Sequence, residues 1–275
     1  MNRVPFRLAK DLGFRIYLAT STLILLIPLI LILYYIVSNG INVINLDFLT
    51  SLPNPPGVLG GGISNAIVGS GLLIGIAGAL SIPFGVALGL FLNEFSETRL
   101  ASAVRICVEI LQGIPSIVIG IIAYLWIVVP LGGFSAFSGG IALAMMMLPM
   151  VVRATEETLK LIPHSLKEAS LGLGVPYYRT MIKIIVPAGA NGILTGVLLG
   201  VARVAGETAP LLFTAFGNPF MTVNITQPVN SLPLIIYNFA TSPYSDWQQV
   251  AWGASLVLII FVLGLSLLAR TLIKQ

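Results

Sequence analysis

The charged stretch RATEETLKLIPHSLKEASLGLGVPYYRTMIKIIVP, Arg153–Pro187, interrupts a chain that is otherwise dominated by apolar runs. In its first half, charged residues alternate with leucines at a spacing typical of amphipathic helices. Pro163 and Pro176 divide it into short pieces, and Tyr177 and Tyr178 are residues that favour a membrane–water interface. The stretch therefore predicts one or two short helices at a membrane surface, for which a surface anchor is the simplest interpretation.

The composition of the chain around this stretch excludes a soluble globular protein. Hydrophobic residues make up 57% of the chain and charged residues 9%, whereas a soluble domain carries roughly 25% charged residues. A membrane-spanning helix needs about 20 mostly apolar residues. We therefore predict an all-α integral membrane protein with six transmembrane helices, at approximately residues 17–37, 66–92, 106–129, 139–152, 192–216 and 250–269.

Lysine and arginine are confined almost entirely to one set of connections between these helices. Thirteen of the 14 lie before the first helix, between the second and third, between the fourth and fifth, or after the sixth. The other connections, 38–65, 130–138 and 217–249, contain only two charged residues, Asp47 and Asp246. Because basic residues accumulate on the cytoplasmic side, we predict that both termini are cytoplasmic.

This topology predicts how the chain is organised. Residues 1–16 are expected to form a cytoplasmic tail, and residues 17–275 a single transmembrane domain in a prokaryotic inner membrane. The stretch 153–186 becomes a cytoplasmic loop. The basic excess follows from the topology and gives no indication of nucleic-acid binding. A lone cysteine, Cys107, excludes an internal disulfide, and a lone histidine, His164, argues against a metal site.

The second half of the loop, EASLGLGVPYYRTMIKIIVP, Glu168–Pro187, resembles the EAA loop of ABC-importer permeases. In that pattern Glu-Ala-Ala is followed three residues later by Gly and, after nine more residues, by Ile-x-Leu-Pro. The matching positions are Glu168, Ala169, Gly174, Ile184 or its neighbour Ile185, and Pro187, whereas Ser170 and Val186 replace the second Ala and the Leu. The location also agrees, since the loop of the family precedes a late membrane helix.

This resemblance implies a fold and a mechanical role. The fold would be that of a type I ABC-importer permease, and the helix that bears the motif would dock on a separate ATP-binding-cassette subunit. The residues implied at that contact are Lys167, Glu168, Ala169, Ser170 and Gly174. A dimer of ATPase subunits would bind ATP and Mg²⁺, and its closure would switch the permease from inward-open to outward-open. The chain has no Gly-x-x-x-x-Gly-Lys-[Ser/Thr] phosphate loop, so we expect it to be non-catalytic and to bind no cofactor.

Four further stretches resemble the Pst-type inorganic phosphate permeases. They are GGISNAIVGSGLLIG (61–75), GIPSIVIGI (113–121), LPMVVRATEETLKLIP (148–163) and ARVAGETAPLLFTA (202–215). Transporters of this family pair two related permeases, A-type and C-type, and the present chain fits the A-type better. The resemblance implies a C-type permease and an external phosphate-binding protein as partners. A C-type identity, or a permease for another oxyanion such as sulfate or molybdate, is the alternative.

Arg203 and Glu207 lie inside the fifth predicted helix, where a charge costs about 3 kcal/mol. Their i, i+4 spacing places them on one helix face, near mid-membrane, where they can pair. An ion pair that fixes the register of the helix is one interpretation, although such pairs rarely add stability over apolar packing. The other is an anion pathway, since the rigid fork of an arginine matches phosphate oxygens. We hypothesise that Arg203 contacts phosphate transiently and that Glu207 is its gating partner.

Three more charged residues are candidates near the predicted cytoplasmic ends of the helices. Arg153 follows the fourth helix, where it either relays an anion or marks the interface. Arg105 and Glu109 form a second i, i+4 pair, for which a boundary pair is the favoured interpretation; alternatively, Glu109 partners an arginine across the bundle. Arg153 and Glu109 are therefore included with Arg203 and Glu207 as candidate pathway residues.

Two other classes of function use the same buried charges. A passive anion channel would need the intramembrane arginine but would have no use for the motif at Glu168–Pro187. An intramembrane enzyme is disfavoured, because Glu109 and Glu207 are the plausible acids within the membrane and the sequence places no nucleophile–base pair or metal cluster beside them.

Overall fold

The computed structural model describes residues 4–58 and 60–273. In this part of the chain the regular structure is helical, apart from one isolated bridge between Phe216 and Val229. Four helices are long and apolar enough to cross a membrane, and six spans result if each of two bent pairs is one span. The four are α1 (Val4–Gly40), α3 (Ser64–Glu94), α7 (Ala136–Lys160) and α14 (Ser245–Ile273). The all-α membrane fold is thereby confirmed.

The first helix begins earlier than the sequence predicts. Residues 1–16 were predicted to form a tail; residues 1–3 lie outside the described part of the chain, and residues 4–16 form the beginning of α1. No residue of the most apolar window of α1 is buried within the chain. Gly40 marks where α1 approaches α14, because a Cβ there would lie 2.8 Å from the backbone oxygen of Trp252.

Helix α7 forms the centre of the bundle. In its most apolar window 67% of the residues are buried, against 28% in α3 and in α14. Helices α3 and α11 (Ala190–Val204) both approach it through glycines. A Cβ on Gly89 would lie 2.5 Å from the Cβ of Thr155, and a Cβ on Gly196 would overlap that of Ala154. Small residues let membrane helices pack this closely, so α3, α7 and α11 form one close-packed unit.

The third predicted span is broken rather than straight. Helix α4 (Arg99–Gly113) and the helical segment that begins with α5 (Ser116–Ala123) meet at an angle of 105°. Pro115 lies at the break, and Ile114 before it is extended, with ψ of 130°. A residue that precedes proline is sterically pushed away from the helical region. The prediction of one continuous helix over 106–129 is therefore wrong.

The fifth predicted span follows a sharp bend and is itself broken in its C-terminal half. Residues Tyr177–Ala188 are bent by 67° against α11, and α11 itself ends at Val204. A short helix, α12 (Ala209–Leu212), follows with Pro210 in its first turn. Pro210 has no N–H to donate to the carbonyl of Gly206 and clashes with it, which disfavours a regular helix over this stretch. The predicted helix over 192–216 is thus wrong in its C-terminal half.

The remaining spans are longer than predicted. Helix α7 begins at Ala136, where the Ser135 hydroxyl accepts a hydrogen bond of 3.1 Å from the N–H of Ser138. It continues to Lys160, so the first residues of the predicted loop 153–186 are helical and belong to α7. Helix α14 likewise extends beyond the predicted 250–269 at both ends. The predicted spans ended before Arg153 and Arg270 because charged residues were assigned to the connections between helices.

The rest of the loop contains two helical pieces. The first is α8 (His164–Gly172). The second, Tyr177–Ala188, comprises α9 (Tyr177–Thr180), a π-helical turn and α10 (Val186–Ala188). In the π turn the N–H of Val186 bonds to the carbonyl of Met181, five residues back. A second π turn, Tyr124–Val128, leads into α6 (Val129–Leu131). Each π turn comes just before a proline, whose missing N–H disturbs the regular ladder.

The opposite end of the bundle has its own hydrophobic cluster. Short helices α2 (Leu46–Thr50) and α13 (Leu232–Ala240) pack there against the beginnings of α3 and α14. The buried residues that meet are Phe48, Ile63, Ala66, Leu232, Ile235, Val250 and Ala254. The cluster holds the long connection that follows α12 in place at this end.

Candidate anion pathway and coupling helix

Arg203 lies in the last turn of α11, at the point where the helix stops. Its side chain is 47% exposed within the chain, and its Nε lies 3.8 Å from Oε1 of Glu207. The two side chains pair as the sequence predicts, but Glu207 follows the end of the helix, so they do not share one helix face. At this distance the carboxylate attracts the guanidinium without a close hydrogen bond. Arg203 therefore retains N–H donors for another acceptor.

Arg203 also lies beside α7. Its Nη1 is 3.8 Å from the sulfur of Met150. Met150 precedes Arg153 by three residues, so the two are neighbours on one face of α7, about 4.5 Å apart along its axis. Through Met150, Arg203 thus contacts the face of α7 that also carries Arg153, although the two predicted pathway arginines come from different helices.

Glu156 is the centre of an ion cluster near the end of α7. Its side chain has 0% exposure, and it is held from three directions. Arg105 of α4 lies 2.9 Å from Oε1, Lys160 lies 3.0 Å from the same oxygen, and Arg153 lies 3.3 Å from Oε2. A buried charge is tolerated when it is paired and hydrogen-bonded. We call Arg105, Glu109, Arg153, Glu156 and Lys160 the Glu156 cluster.

The Glu156 cluster corrects the expected pairing on α4. Arg105 bonds to Glu156, and Glu109 forms an ion pair with Arg153 across the bundle. No ion pair joins Arg105 to Glu109 in the part of the chain that the structure describes. The favoured boundary pair is thus wrong, and the alternative, a cross-bundle partner for Glu109, is confirmed. These contacts tie α4 to α7.

Sequence reasoning missed Glu156 as a central residue. Its local signal was present, because Glu156 lies three residues after Arg153 and four before Lys160, the spacings at which helical side chains meet. Its burial depends on Arg105, which is 51 residues away in sequence. No local pattern reports a contact of that kind.

Helix α8, which we predict to be the coupling helix, exposes only part of the predicted contact set. Glu168 and Ala169 are exposed. Ser170 is buried instead, and its hydroxyl shares a hydrogen bond of 2.8 Å with that of Thr180. Ser170 thus holds α8 against α9 rather than facing outward.

Lys167 is likewise engaged within the chain. Its ammonium forms an ion pair with Glu94, the last residue of α3, and lies 5.1 Å from the ring centre of Tyr177. All three side chains are at least partly shielded from solvent within this contact, which strengthens their interaction. We call this contact the Glu94 tie, and it joins the coupling helix to the end of α3.

Gly174 ends the coupling helix in the left-handed conformation, with φ of 78°. The N–H of Gly174 bonds to the carbonyl of Leu171, and that of Val175 to the carbonyl of Ser170. These two bonds are those of a Schellman motif, in which glycine is favoured because a Cβ is strained at positive φ. A Cβ on Gly174 would meet no atom within 4 Å, so the requirement is conformational.

This geometry predicts different effects for two substitutions of Gly174. Gly174→Ala is expected to destabilise the turn after α8 by about 1–2 kcal/mol and to lower ATP-driven transport several-fold. Gly174→Asn, which tolerates the left-handed region, should retain most of the transport. Uptake assays on the two variants, normalised to the amount of assembled complex, make the comparison. Equal activities for Ala and Asn would contradict the conformational explanation.

Within the residues that the structure describes, no group of three or more His, Cys, Asp or Glu side chains is arranged to hold a metal ion. The chemistry of the site is instead that of guanidinium and ammonium groups with carboxylates. Guanidinium and ammonium groups are suited to contacts with anions.

Comparison with known proteins first defines the class. Residues 81–275 match the family described as the inner membrane component of binding-protein-dependent transport systems. The match covers well over half of the chain and includes α8, Arg153 and Arg203. The chain thus belongs to a family of transport-system permeases.

The relatives define the particular family. The chain is 47% identical over 242 residues to the phosphate transport system permease protein PstA of Xylella fastidiosa, covering 87% of this chain and 84% of the relative. It is 44% identical to PstA of Yersinia pestis, over 90% and 84% of the two chains. It is 37% identical to the probable PstA of Methanocaldococcus jannaschii, over 98% and 95%. The chain belongs to the PstA family of permeases, which confirms the A-type prediction.

Solved structures share the fold. A bacterial alginate ABC transporter in complex with an alginate-bound periplasmic protein matches with a TM-score of 0.67 and 13% identity, over 98% of this chain and 96% of that one. The MetNI methionine ABC transporter in an inward-facing conformation matches with a TM-score of 0.61 and 17% identity, over 77% and 93%. At these identities the likeness concerns the fold, which is that of ABC-importer permeases.

Proposed function

We propose that this chain is a phosphate-translocating permease subunit of an ATP-driven importer. The observation that carries the proposal is the half-exposed Arg203 at the break of a membrane helix, beside a carboxylate that only loosely engages it. Relatives that cover most of the chain are named phosphate transport permeases. A cation placed within a membrane helix is costly and is the usual mark of a substrate path.

The contact chemistry suits transient phosphate binding. The guanidinium of Arg203 offers a planar fork of donors that matches two phosphate oxygens. The Glu207 carboxylate, 3.8 Å away, pairs with the guanidinium when no anion is bound. Its negative charge repels a bound anion and so promotes release of that anion. A path for net transport needs sites that bind and also release. Arg203 with Glu207 thus acts as a weak, competed anion site.

Arg153 provides a second cation along α7. It lies one turn beyond Met150, which contacts Arg203, and it is held by Glu109 and Glu156. An anion that leaves Arg203 meets Arg153 next, in a setting where two carboxylates already compensate the charge. This arrangement favours release toward that end of the bundle.

The charge distribution supports the proposed orientation, and the resemblance to ABC-importer permeases supports the proposed partners. Basic residues flank the helices at one end, which we assign to the cytoplasm together with both termini. There α8 docks, through Glu168 and Ala169, on an ATP-binding-cassette ATPase dimer that binds ATP and Mg²⁺. A related C-type permease completes the membrane path, and an external phosphate-binding protein delivers the anion at the opposite end. The chain itself carries no catalytic role and no cofactor.

The Glu94 tie transmits the movement of the ATPase subunits from α8 to the helices that carry the anion pathway. Motion of α8 is transmitted through Lys167 and Glu94 to the end of α3. Helix α3 is packed against α7 through glycines such as Gly89, so the two move together. Helix α11 belongs to the same close-packed unit, so Arg153 and Arg203 move together with α3. The tie therefore links ATPase closure to the anion site.

A charge exchange tests this transmission. Glu94→Lys alone places two cations together and is expected to lower the amount of phosphate moved per ATP hydrolysed about tenfold, with ATP hydrolysis largely retained. The double variant Glu94→Lys with Lys167→Glu restores the attraction and should recover most of the ratio. Parallel uptake and hydrolysis measurements give the ratio. A normal ratio in the single variant, or a ratio in the double variant no higher than in the single, would contradict transmission through the Glu94 tie.

Substrate selectivity tests the proposed function. The purified complex in proteoliposomes, supplied with its external binding protein, ATP and Mg²⁺, is expected to accumulate radiolabelled phosphate in preference to sulfate and molybdate. Phosphate accumulation supports the proposal. Preferential accumulation of sulfate or molybdate would assign the chain to another oxyanion and overturn the phosphate assignment.

A further inference from the structure

The helical segment that follows the coupling helix has an exposed face that the ATPase contact does not use. Tyr178, Arg179, Ile182 and Lys183 recur at the spacing of one side of a helix. All four are exposed, with 59% exposure for Tyr178 and 64% for Ile182. We call these four residues the interfacial face.

The opposite face of this segment is fixed to the bundle. Met181 and Ile185 are buried and pack with Leu159 of α7 and Ile193 of α11. Thr180 is fully buried and bonds to Ser170. Because one side is anchored in this way, the interfacial face points away from the bundle in a defined direction.

The segment also has the direction of a helix that lies along a membrane surface. Residues Tyr177–Ala188 are bent by 67° against the spanning helix α11. At 1.5 Å per residue these residues are about 18 Å long, and at this angle they advance only roughly 7 Å along the axis of α11. Most of their length therefore runs across that axis, which is the direction of a helix that lies in the plane of a membrane interface.

The chemistry of the interfacial face complements an anionic bilayer. Neither Arg179 nor Lys183 forms an ion pair with any residue that the structure describes. The Arg179 guanidinium lies 5.9 Å from the ring centre of Tyr178. An exposed tyrosine such as Tyr178 is favoured at the level of the lipid headgroups, and an exposed isoleucine such as Ile182 is favoured among the acyl chains. Unpaired cations such as Arg179 and Lys183 are favoured beside lipid phosphate groups. The four side chains thus match the layers of a lipid interface.

We propose that the interfacial face binds anionic phospholipid headgroups of the adjacent leaflet, through Arg179 and Lys183, and so holds the base of the coupling helix at the membrane surface. The surface-anchor role belongs to Tyr177–Ala188, while α8 remains available for the ATPase. The identity of the leaflet rests on the proposed orientation. The lipid contact itself does not depend on which anion is transported.

Depth measurements on the assembled complex distinguish lipid from protein as the occupant. In an otherwise cysteine-free complex, a spin label is attached at Ile182→Cys and, for comparison, at Ala169→Cys on α8. The label at position 182 is expected to be more accessible to oxygen than to a water-soluble nickel chelate, and to be unaffected by adding the ATPase subunits. Equal access to water at both positions, or protection of position 182 by the ATPase, would overturn the proposal.

A second measurement addresses the two cations. A fluorophore attached to the Ile182→Cys variant is quenched by nitroxide-labelled phosphatidylglycerol or phosphatidylcholine, each at roughly 30% of the vesicle lipid. Since each basic residue near a surface favours anionic lipid about fivefold, we expect at least fivefold stronger quenching by phosphatidylglycerol. Arg179→Gln with Lys183→Gln should remove this preference. Lys10→Gln with Arg270→Gln removes the same charge from other helices and should leave it intact. An unchanged preference in the first pair would refute the assignment, whatever the transported substrate.

Discussion

Replacing Arg203 with glutamine is expected to reduce ATP-driven phosphate uptake roughly 10- to 100-fold. The variant loses hydrogen bonds to a charged group, which are worth about 1.5–3 kcal/mol, at the point where the membrane helix ends. Arg203→Lys keeps the charge but lacks the planar fork, so an intermediate rate is expected. Uptake into proteoliposomes by correctly assembled complexes provides the measurement.

A matched control separates this effect from a general loss of positive charge. Arg270 is an exposed arginine near the end of α14, remote in sequence from the proposed pathway. Arg270→Gln should transport at close to the normal rate. If Arg203→Gln and Arg270→Gln were equally active, the proposed anion contact would be untenable.

Replacing Glu156 with glutamine is expected to destabilise the assembled protein by about 3 kcal/mol. The change preserves side-chain shape but leaves Arg105, Arg153 and Lys160 without the carboxylate that holds them. Breaking a buried ion pair costs about 3–5 kcal/mol, and the partial exposure of the cations places the effect at the lower end. At this chain length the apparent melting temperature should fall by roughly 6–12 °C.

The neighbouring residue offers a control with the same chemistry. Glu157 also pairs with Lys160, at 3.0 Å, but its side chain is 63% exposed. An exposed pair contributes about 0–1 kcal/mol, so Glu157→Gln should change the melting temperature little. Comparable losses for Glu156→Gln and Glu157→Gln, measured by thermal unfolding of the solubilised complex, would contradict the central role of Glu156.

The apolar runs predicted the membrane class and the approximate positions of the spans, because burial in lipid requires a long continuous stretch of hydrophobic residues. The breaks in the third and fifth predicted spans could not be predicted from the apolar runs alone. Pro115 and Pro210 both carry a local signal, since proline disturbs the preceding turn. The length of α7 was underestimated because Arg153 and Glu156 looked like loop residues, although their charges compensate each other inside the fold.

The residues of the candidate site were likewise predicted from the sequence only in part. Arg203 and Glu207 were recognisable because charges are rare within a membrane helix. The motif from Glu168 onward predicted the coupling helix but not which of its side chains face outward. Ser170 is buried and hydrogen-bonded to Thr180, and Lys167 is paired with Glu94, 73 residues away. Such contacts arise from tertiary packing, which the spacing of residues along the chain does not report.

The dependence of phosphate uptake on ATP tests the account most directly. Proteoliposomes that contain the complex, with its external binding protein outside and a higher phosphate concentration inside, are compared with and without ATP and Mg²⁺ in the lumen, on the ATPase side. We predict uptake against the gradient only when ATP is hydrolysed, and no appreciable flux without nucleotide. Rapid phosphate flux that persists without ATP, or after removal of the ATPase subunits, would identify a passive anion channel and contradict the proposed coupling through α8.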